Sequence, residues 1–168
     1  MLLIKLYYHI SSFFSKTVYK LIYGSRFKVG KGTTWRKHLS VMIDKSGRVE
    51  IGEGCFFNNY CSVNSNGSIV VGEDTIFGEN VKIYDHNHRF KSADVAVRDQ
   101  GFSNGKVKIG KNCWIGSNVT ILKGADIGDH CVIGSGAVVA CRIPADSVVT
   151  SARELKIEKI RQDAEIDT

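Results

Sequence analysis

The sequence predicts an all-β solenoid, and three observations lead to that prediction. First, the 168 residues suit a single compact domain. Second, an aliphatic residue recurs at every sixth position from Ile109 to Val139, and a small or aliphatic residue stands four positions after each of them. Third, the chain contains 17 glycines but a single proline, Pro144, a composition typical of many regular backbone turns.

Each six-residue repeat is interpreted as a strand of about four residues followed by a bend. Positions an even number apart on a strand face the same side, whereas a helix of about 3.6 residues per turn scatters them around its circumference. Strands this short must coil, with successive turns stacked at about 4.8 Å and the core buried between neighbouring turns. The pattern starts weakly at Val29 and ends near residue 150, so residues 29–150 are predicted to form the solenoid.

Residues 1–28 precede the repeat and are predicted to contain an amphipathic helix. Six positions on one face of it follow helical spacing: Leu3, Leu6, Ile10, Phe13, Thr17 and Leu21. Two interpretations of this helix remain open, namely packing against the side or end of the solenoid and peripheral contact with an anionic membrane surface. A signal peptide is not expected, because Lys5 and His9 interrupt the apolar run and no cleavage site follows.

The C-terminal residues 151–168 are predicted to form a short helix and a tail. Ser151 and Glu154 have the spacing of a capping box, which marks the start of a helix. This helix is expected to cover the open end of the last coil, and no chemistry is assigned to it.

The positive charge is concentrated in the N-terminal quarter of the chain. The net charge is +6, and residues 1–43 hold eight Lys and Arg side chains and no acid, whereas the remainder holds fifteen basic and seventeen acidic side chains. No nucleic-acid partner is expected, because no recognised nucleic-acid-binding module accompanies the basic quarter. No apolar run approaches the roughly 18 residues that a membrane-spanning helix needs.

The five cysteines form no CxxC pair, which argues against a disulfide scaffold and favours a reducing compartment such as the cytoplasm. Four of them occupy the small inward position of the repeat, where a free thiol packs as a small apolar group. They are Cys55, Cys61, Cys113 and Cys131, whereas Cys141 lies off that position and is left without an assignment.

The candidate site lies at residues 85–89, with the sequence DHNHR, where the repeat is interrupted and a polar excursion over residues 87–106 begins. An insertion that leaves the wall of a solenoid and returns is a place where a site can form. A neutral imidazole suits general-base catalysis, because its pKa lies near working pH. A shared metal ion and a purely structural role are the alternatives for His86 and His88. No metal is expected, because a resemblance to the three-histidine zinc site of the γ-class carbonic anhydrases would need an H-x4-H pair, and no two histidines of this chain have that spacing.

The repeat resembles that of the hexapeptide-repeat acyltransferases, whose fold is a left-handed parallel β-helix with three hexads per coil. The resemblance covers residues 29–150, where eighteen residues per coil give about five coils. It is strongest to the sugar O-acetyltransferases of the galactoside, maltose and xenobiotic type. For this chain it implies acetyl-CoA as acyl donor, no metal, and a homotrimer with its sites between adjacent subunits.

The resemblance also assigns the catalytic base and the acceptor contacts. The segment N-H-R at residues 87–89 matches the xenobiotic acetyltransferases, and His88 stands seven positions after an aliphatic residue, as the catalytic His does in the galactoside enzymes. His88 is therefore the implied base, and Asp85 and His86 are candidates either for contacting the acceptor or for supporting the residues that do. Asn58 stands where the galactoside family has a substrate-contacting Asn.

The implied donor site involves residues 112–117, NCWIGS, which are similar to the N-x-W-I-G segment that lines the coenzyme A channel in the family. The likeness implies that Trp114 contacts the donor and that the backbone N–H groups of Ser117 and Ser135 bind the thioester or the pantetheine arm. Arg142 falls near the position that contacts the adenine end. An outward-facing indole also needs a partner, which pantetheine or a neighbouring subunit would supply.

The implied function is direct transfer of an acetyl group from acetyl-CoA to a sugar hydroxyl, with a histidine as general base. The expected acceptor is a carbohydrate, lipid-linked or nucleotide-linked, in the synthesis of capsule or lipopolysaccharide. The expected location is the cytoplasm or the inner face of the membrane. Two alternatives stay open, namely N-acetylation of a nucleotide-linked amino sugar and a non-catalytic β-helix scaffold.

Overall fold

The computed structural model describes residues 2–151, which form a parallel β-helix with one long helix at its N-terminal end. Helix α1 (Leu2–Tyr23) is followed by a 3₁₀ turn (Gly24–Arg26), after which the chain winds through the β-helix. The predicted solenoid is confirmed, with five complete turns of three strands and a sixth turn of two strands. The helix predicted after Ser151 lies outside the described residues.

The strands follow one another in chain order. Turn one contains β1 (Phe27–Val29), β2 (Thr34–Trp35) and β3 (Ser40–Ile43), and turn two contains β4 (Val49–Ile51), β5 (Phe56–Phe57) and β6 (Ser62–Ser65). Turn three contains β7 (Ser68–Val71), β8 (Ile76–Phe77) and β9 (Lys82–Tyr84), and a hairpin of β10 (His86–His88) and β11 (Phe102–Asn104) follows it. Turn four contains β12 (Lys106–Ile109), β13 (Trp114–Ile115) and β14 (Thr120–Ile121). Turns five and six contain β15 (Asp126–Ile127), β16 (Val132–Ile133), β17 (Val138–Val139), β18 (Arg142–Ile143) and β19 (Val148–Val149).

The strands of successive turns stack into three parallel sheets, which form the three faces of the β-helix. Sheet A contains the first strand of every turn, sheet B the second and sheet C the third, so that sheets A and B have six strands each and sheet C has five. Ile109 of β12 pairs with Val71 of β7 and with Ile127 of β15, so the same inward position recurs in each turn. The chain passes from sheet to sheet at three corners, A–B, B–C and C–A.

The inward positions of the three sheets form one continuous core. The aliphatic residues that recur at every sixth position are at most 2% exposed: Ile109, Ile115, Ile121, Ile127, Ile133 and Val139. In the earlier turns, Phe57 and Phe77 fill the same position and stack with their ring centroids 4.2 Å apart. Burial of a side chain of this size contributes about 1.5–3 kcal/mol, so this periodic column is a main source of the stability of the fold.

Glycines stack at the A–B corner, where neighbouring turns approach closely. A Cβ atom on Gly72 would lie 2.5 Å from the carbonyl carbon of Gly110, and one on Gly110 would lie 2.5 Å from the carbonyl carbon of Gly128. No side chain fits at these distances, which explains why glycine follows the inward aliphatic residue. The left-handed backbone conformation that the corners also require is adopted by Asn80 and Asn112, with φ of 57° and 52°.

The four cysteines predicted to face inward are buried free thiols, and Cys141 is exposed. Each buried thiol donates a hydrogen bond to a carbonyl of the next turn. Cys61 Sγ donates to Gly78 O and Cys113 Sγ to Gly128 O, both at 3.2 Å. Burial raises the pKa of the Cys61 thiol to about 11. Cys61 is therefore a neutral packing group at neutral pH.

Helix α1 closes the open end of turn one with its polar and aromatic face. The hydroxyl of Tyr19 donates a hydrogen bond to Leu39 O at 2.7 Å, and that of Tyr23 donates to Val41 O at 3.0 Å. Strands at the end of a β-helix carry backbone carbonyls that no further strand can pair, so donors are required there. Packing against the end of the solenoid, one of the two interpretations of this helix, is confirmed.

The face of α1 defined by the six predicted positions points away from the β-helix. Five apolar members of that set are at least 50% exposed: Leu3, Leu6, Ile10, Phe13 and Leu21. The packed face could not be identified from hydrophobic spacing, because the surface that it meets offers carbonyl oxygens as well as apolar groups. The helix consequently presents its apolar face to the outside.

Candidate active site

The excursion predicted over residues 87–106 begins as an ordered hairpin at the C–A corner of turn three. Strands β10 and β11 pair antiparallel, with His86 opposite Asn104 and His88 opposite Phe102. Paired residues and residues two apart share a face of a hairpin, so both imidazoles lie on the same face. The hairpin therefore projects the two histidines of the predicted site from the wall of the β-helix.

Asp85 fixes the root of this hairpin to the preceding turn. Its carboxylate is completely buried. It accepts hydrogen bonds from Ser65 Oγ at 2.6 Å, from Asn66 N at 2.8 Å and from Gly67 N at 2.9 Å. Asp85 Oδ1 also lies 3.1 Å from His86 Nδ1. The structure thus leaves Asp85 no surface for an acceptor, and its contact with the site runs through His86.

The contact with Asp85 sets the orientation and the tautomer of His86. A neutral imidazole that donates from Nδ1 keeps its lone pair on Nε2, so this nitrogen is free to accept a proton or a hydrogen bond. The His86 side chain is 16% exposed. It borders a cavity of about 420 Å³ between the hairpin and the outer face of sheet C.

The floor of this cavity is formed by outward residues of three stacked strands. Asn64 is in register with Met42 below it and with Tyr84 above it. Phe102 of the hairpin closes one side, and its ring lies 5.2 Å from that of His86. Asn64 and Tyr84 are not among the site residues predicted from the sequence. Their outward position on sheet C follows from the strand alternation, but the cavity above them exists only because the hairpin folds over that sheet.

His88 lies further along β10 and is exposed. Its ring packs on Phe102 with centroids 4.5 Å apart. It borders a second cavity of about 740 Å³, which Lys123 and Ser103 also line. Lys123 Nζ donates a hydrogen bond to Ser103 Oγ at 2.7 Å and so fastens the hairpin to turn four. Among residues 2–151, no three His, Cys, Asp or Glu side chains are arranged to hold a metal ion.

The predicted acceptor contact Asn58 is located at a different corner, the B–C corner of turn two. Its Oδ1 atom accepts hydrogen bonds from Arg36 Nη1 at 3.2 Å and from Asn59 N at 2.8 Å. These bonds stabilise the turn and leave the side chain half-buried. Within one chain, the structure does not bring Asn58 to the hairpin that carries His88.

The predicted donor residues of turns four and five lie on sheet B and at the B–C corner. Trp114 points outward and is 55% exposed, in register with Ile76 and Val132 of the adjacent turns. Ser117 and Ser135 occupy equivalent corner positions one turn apart. Among the described residues, neither serine N–H donates a hydrogen bond. These groups are therefore free to bind a ligand that lies along the corner.

Arg142 is separate from this set. It lies in β18 on sheet A, where it pairs in register with Asp126 of β15, and it is exposed. It borders a small cavity with Lys108 and Asp129 on the outer face of that sheet. Within one chain, the structure thus places Arg142 on a different face from Trp114.

Apart from Trp114 on sheet B and Arg142 on sheet A, the predicted site residues lie at two corners of the same β-helix. The hairpin with His86 and His88 leaves from the C–A corner, and Ser117 and Ser135 stand at the B–C corner. The width of sheet C separates these corners in every turn.

The chain is similar to known proteins in family, structure and sequence. The family model "Bacterial transferase hexapeptide (six repeats)" matches residues 106–141, which are turns four and five. The crystal structure of a maltose O-acetyltransferase from Clostridium difficile 630 matches with a TM-score of 0.62 at 31% identity, covering 81% of this chain and 71% of that chain. A hexapeptide-repeat acetyltransferase from Vibrio cholerae, complexed with acetyl coenzyme A, shares the fold with a TM-score of 0.62 at 23% identity, over 79% of this chain and 72% of that one.

Two relatives illustrate the likeness in sequence. The galactoside O-acetyltransferase of Lactococcus lactis is 33% identical over 120 residues, which cover 71% of this chain and 56% of that protein. The Escherichia coli protein WbbJ, named as a lipopolysaccharide biosynthesis O-acetyl transferase, is 28% identical over 144 residues, which cover 80% of this chain and 74% of WbbJ. The chain thus spans 74% of the length of WbbJ, and it spans 42% of the length of another acetyltransferase relative.

The β-helix places this chain in the class of left-handed β-helix acetyltransferases, to which its structural neighbours belong. On the sequence repeat, the family match and the maltose O-acetyltransferase structure, this chain belongs to the hexapeptide-repeat acetyltransferase family.

Proposed function

We propose that this chain is an acetyl-CoA-dependent O-acetyltransferase that acts on a sugar hydroxyl by direct transfer. The observation that carries the proposal is the hairpin, which presents His86 and His88 from one face beside two open cavities. Trp114 and the backbone N–H groups of Ser117 and Ser135, which donate no hydrogen bond among the described residues, support acetyl-CoA as the donor. An exposed indole and free N–H groups suit a pantetheine chain.

His88 is proposed as the general base. Its imidazole accepts the proton of the sugar hydroxyl while the oxygen attacks the thioester carbonyl, and the N–H of Ser117 donates to the carbonyl oxygen as it becomes negative. When the C–S bond breaks, the imidazolium returns its proton to the departing thiolate, and coenzyme A leaves with its thiol protonated. General-base help typically contributes about 10²–10⁴-fold and an oxyanion donor about 10²–10³-fold.

The acceptor sugar is placed in the cavity between the hairpin and sheet C, with its reacting hydroxyl extending past Phe102, which contacts both imidazoles, to His88 at the second cavity. The rings of Tyr84 and Phe102 offer apolar faces to the C–H side of a sugar, while Asn64 and His86 Nε2 offer hydrogen bonds to its hydroxyls. Asp85 contributes by holding His86 in this orientation. It is a positioning residue rather than a substrate contact.

The complete site is proposed to form between subunits of a homotrimer. His88 and the Trp114 segment stand at different corners of one β-helix, so two copies must meet for the base to reach the thioester. A neighbouring subunit would also cover the exposed Trp114. In the same arrangement we assign Asn58 to the acceptor and Arg142 to the adenine end of the donor. Each residue would contact its ligand across the subunit interface.

The proposed pathway is the assembly of a surface polysaccharide, capsule or lipopolysaccharide, in the cytoplasm. The name of WbbJ supports this assignment, and free thiols in the core suit a reducing compartment. The acceptor would then be a sugar linked to a nucleotide or to a lipid.

The test is release of coenzyme A from acetyl-CoA in the presence of a panel of free, nucleotide-linked and lipid-linked sugars, with coenzyme A quantified by chromatography. We expect release that depends on a hydroxylated acceptor, with the acetyl ester located by mass spectrometry. Release with amino sugars alone, giving an amide, would replace the O-acetyl assignment by N-acetylation. Absence of both release and coenzyme A binding would identify a scaffold and overturn the proposal.

A further inference from the structure

The inner face of helix α1 is polar where it meets the β-helix. Ser12 is almost completely buried there. Ser15 Oγ accepts a hydrogen bond from Trp35 Nε1 at 2.8 Å, and the ammonium group of Lys16 donates to the carbonyl of Thr33. With the two tyrosine hydroxyls described above, these contacts fix the rotation of the helix on the end of turn one.

The opposite surface, here called the outer face, is apolar along the length of the helix. Its members are all at least 50% exposed: Leu3, Leu6, Tyr7, Ile10, Phe13, Phe14, Val18 and Leu21. Residues three, four and seven positions apart share one side of a helix, so these side chains form one continuous surface, with Thr17 as a polar residue within it. A helix of 22 residues is about 33 Å long. Apolar surfaces of this extent mark interaction sites in proteins.

The surroundings of the outer face are basic. Residues 1–43 hold eight Lys and Arg side chains and no acid in sequence, of which Lys16 faces the β-helix and Lys28 pairs with Glu50 of the second turn at 3.3 Å. Lys20 is exposed on α1 itself, and Lys37 Nζ lies 5.6 Å from the centre of the Tyr7 ring at the edge of the outer face. An apolar surface with cations beside it complements a partner that is both apolar and anionic.

We propose that the outer face of α1 binds an anionic lipid surface, with the helix lying in the plane of the interface. Its apolar side chains enter the boundary between headgroups and acyl chains, and the neighbouring cations contact lipid phosphates. A second copy of the chain fits this face less well, because it would bring the exposed Lys20 and Lys37 side chains of the two copies together. Within residues 2–151, no helix has the length and apolar character needed to cross a bilayer.

The proposed acetyl transfer and this lipid contact are independent, because no residue of the outer face belongs to the proposed site. The experiment is flotation of the full chain with vesicles of phosphatidylcholine alone and with about 30% phosphatidylglycerol, at low and high salt. We expect binding to the anionic vesicles and a reduction in high salt, since surface charge attraction is screened.

The diagnostic variant is Ile10→Gln/Phe14→Gln/Leu21→Gln, which makes the outer face polar without touching the inner contacts. We expect its thermal unfolding to resemble that of the parent, which shows that it is folded. We expect its binding to anionic vesicles to be at least about tenfold weaker. The matched control is Val138→Gln/Val148→Gln, which removes two exposed apolar side chains from later turns and should bind like the parent.

Three results would overturn the proposal. The first is a folded parent that does not bind anionic vesicles. The second is equal vesicle binding by the outer-face variant. The third is a lower oligomeric state of the outer-face variant, measured by analytical ultracentrifugation without lipid, which would assign the outer face to a second copy of the chain.

Discussion

At the scale of single residues, Asp85 determines the geometry of the candidate site. A buried carboxylate is tolerated only where hydrogen bonds replace water, and here backbone and hydroxyl donors from the preceding turn do so. The same group holds Nδ1 of His86. One buried side chain therefore couples the root of the hairpin to the direction of an imidazole.

The roles of the two histidines can be separated by comparing His88→Ala with His86→Ala. We expect His88→Ala to lower kcat by about 10²-fold or more, because it removes the base, and to abolish the acidic limb of the pH–rate profile. His86→Ala should act mainly on the KM of the sugar. The measurement is steady-state release of coenzyme A at varied acceptor concentration and pH.

The control for this comparison is Asn87→Ala, a change at the neighbouring position of the same strand, which is expected to keep kcat. If His88→Ala stays within tenfold of the parent while His86→Ala loses kcat, the base is His86, which Asp85 orients. That result would contradict the assignment of His88.

The thiols offer a second prediction at this scale. Of the five cysteines, Cys141 is exposed and the other four are buried, with the pKa of Cys61 raised by burial to about 11. We expect one thiol per chain to react rapidly with a thiol reagent at pH 8 and five to react in urea. Cys141→Ser should remove the rapid reaction.

The same burial makes stability depend on alkaline pH. The unfolded chain releases thiol protons near pH 9, whereas Cys61 in the folded chain holds its proton to about pH 11. The free energy of unfolding should therefore fall as pH rises through that window. Both predictions depend on the burial of four of the five cysteines. Two or more rapidly reacting thiols in the folded protein would contradict that burial.

At the scale of elements, the repeat depends on the close approach of turns at the A–B corner. Gly110→Ala would place a methyl group 2.5 Å from the backbone of the next turn. The clashing atoms belong to the backbone, so they cannot move away as a flexible side chain could. We expect a loss of about 3 kcal/mol or more in the free energy of unfolding, measured by urea denaturation.

Gly24→Asn is the matched control for the glycine prediction. Gly24 has a φ of 56° and no atom within 4 Å of an added Cβ, and asparagine tolerates that backbone conformation. Its effect should stay below about 1 kcal/mol. Equal stability of the two variants would show that the turns at the corner are further apart than the structure places them.

The repeat made most of the fold predictable, because every turn gives its residues the same surroundings. The inward aliphatic residues and the four buried cysteines follow from position within a hexad alone. The face on which α1 packs did not follow, since it depends on carbonyl oxygens at the end of turn one. The burial of Asp85 was missed for a related reason: sequence order places it beside His86, but only folding brings the donors of residues 65–67 around it.

At the scale of the whole molecule, the two corners make activity depend on assembly. We expect mixed refolding of His88→Ala with Trp114→Ala chains to recover acetyl transfer at limiting acetyl-CoA, because some interfaces then pair an intact hairpin with an intact Trp114 segment. The measurement is coenzyme A release by the mixture compared with each variant refolded alone.

The control mixture combines the His88→Ala chain with the chain that carries both His88→Ala and Trp114→Ala. No interface in this mixture has an intact His88. No activity should appear in it. Failure of the first mixture to exceed its components would place base and donor within one chain. That outcome would contradict a site between subunits.

The position of α1 has a consequence for how copies of the chain behave when concentrated. Turn one ends in the edges of three strands, and bare strand edges template the addition of further strands from other molecules. By occupying Leu39 O and Val41 O with its own hydroxyls, the helix leaves this end without a template. End-to-end stacking of β-helices into a fibre is thereby blocked at the N-terminal end. Copies of the chain can still associate side by side through the sheets.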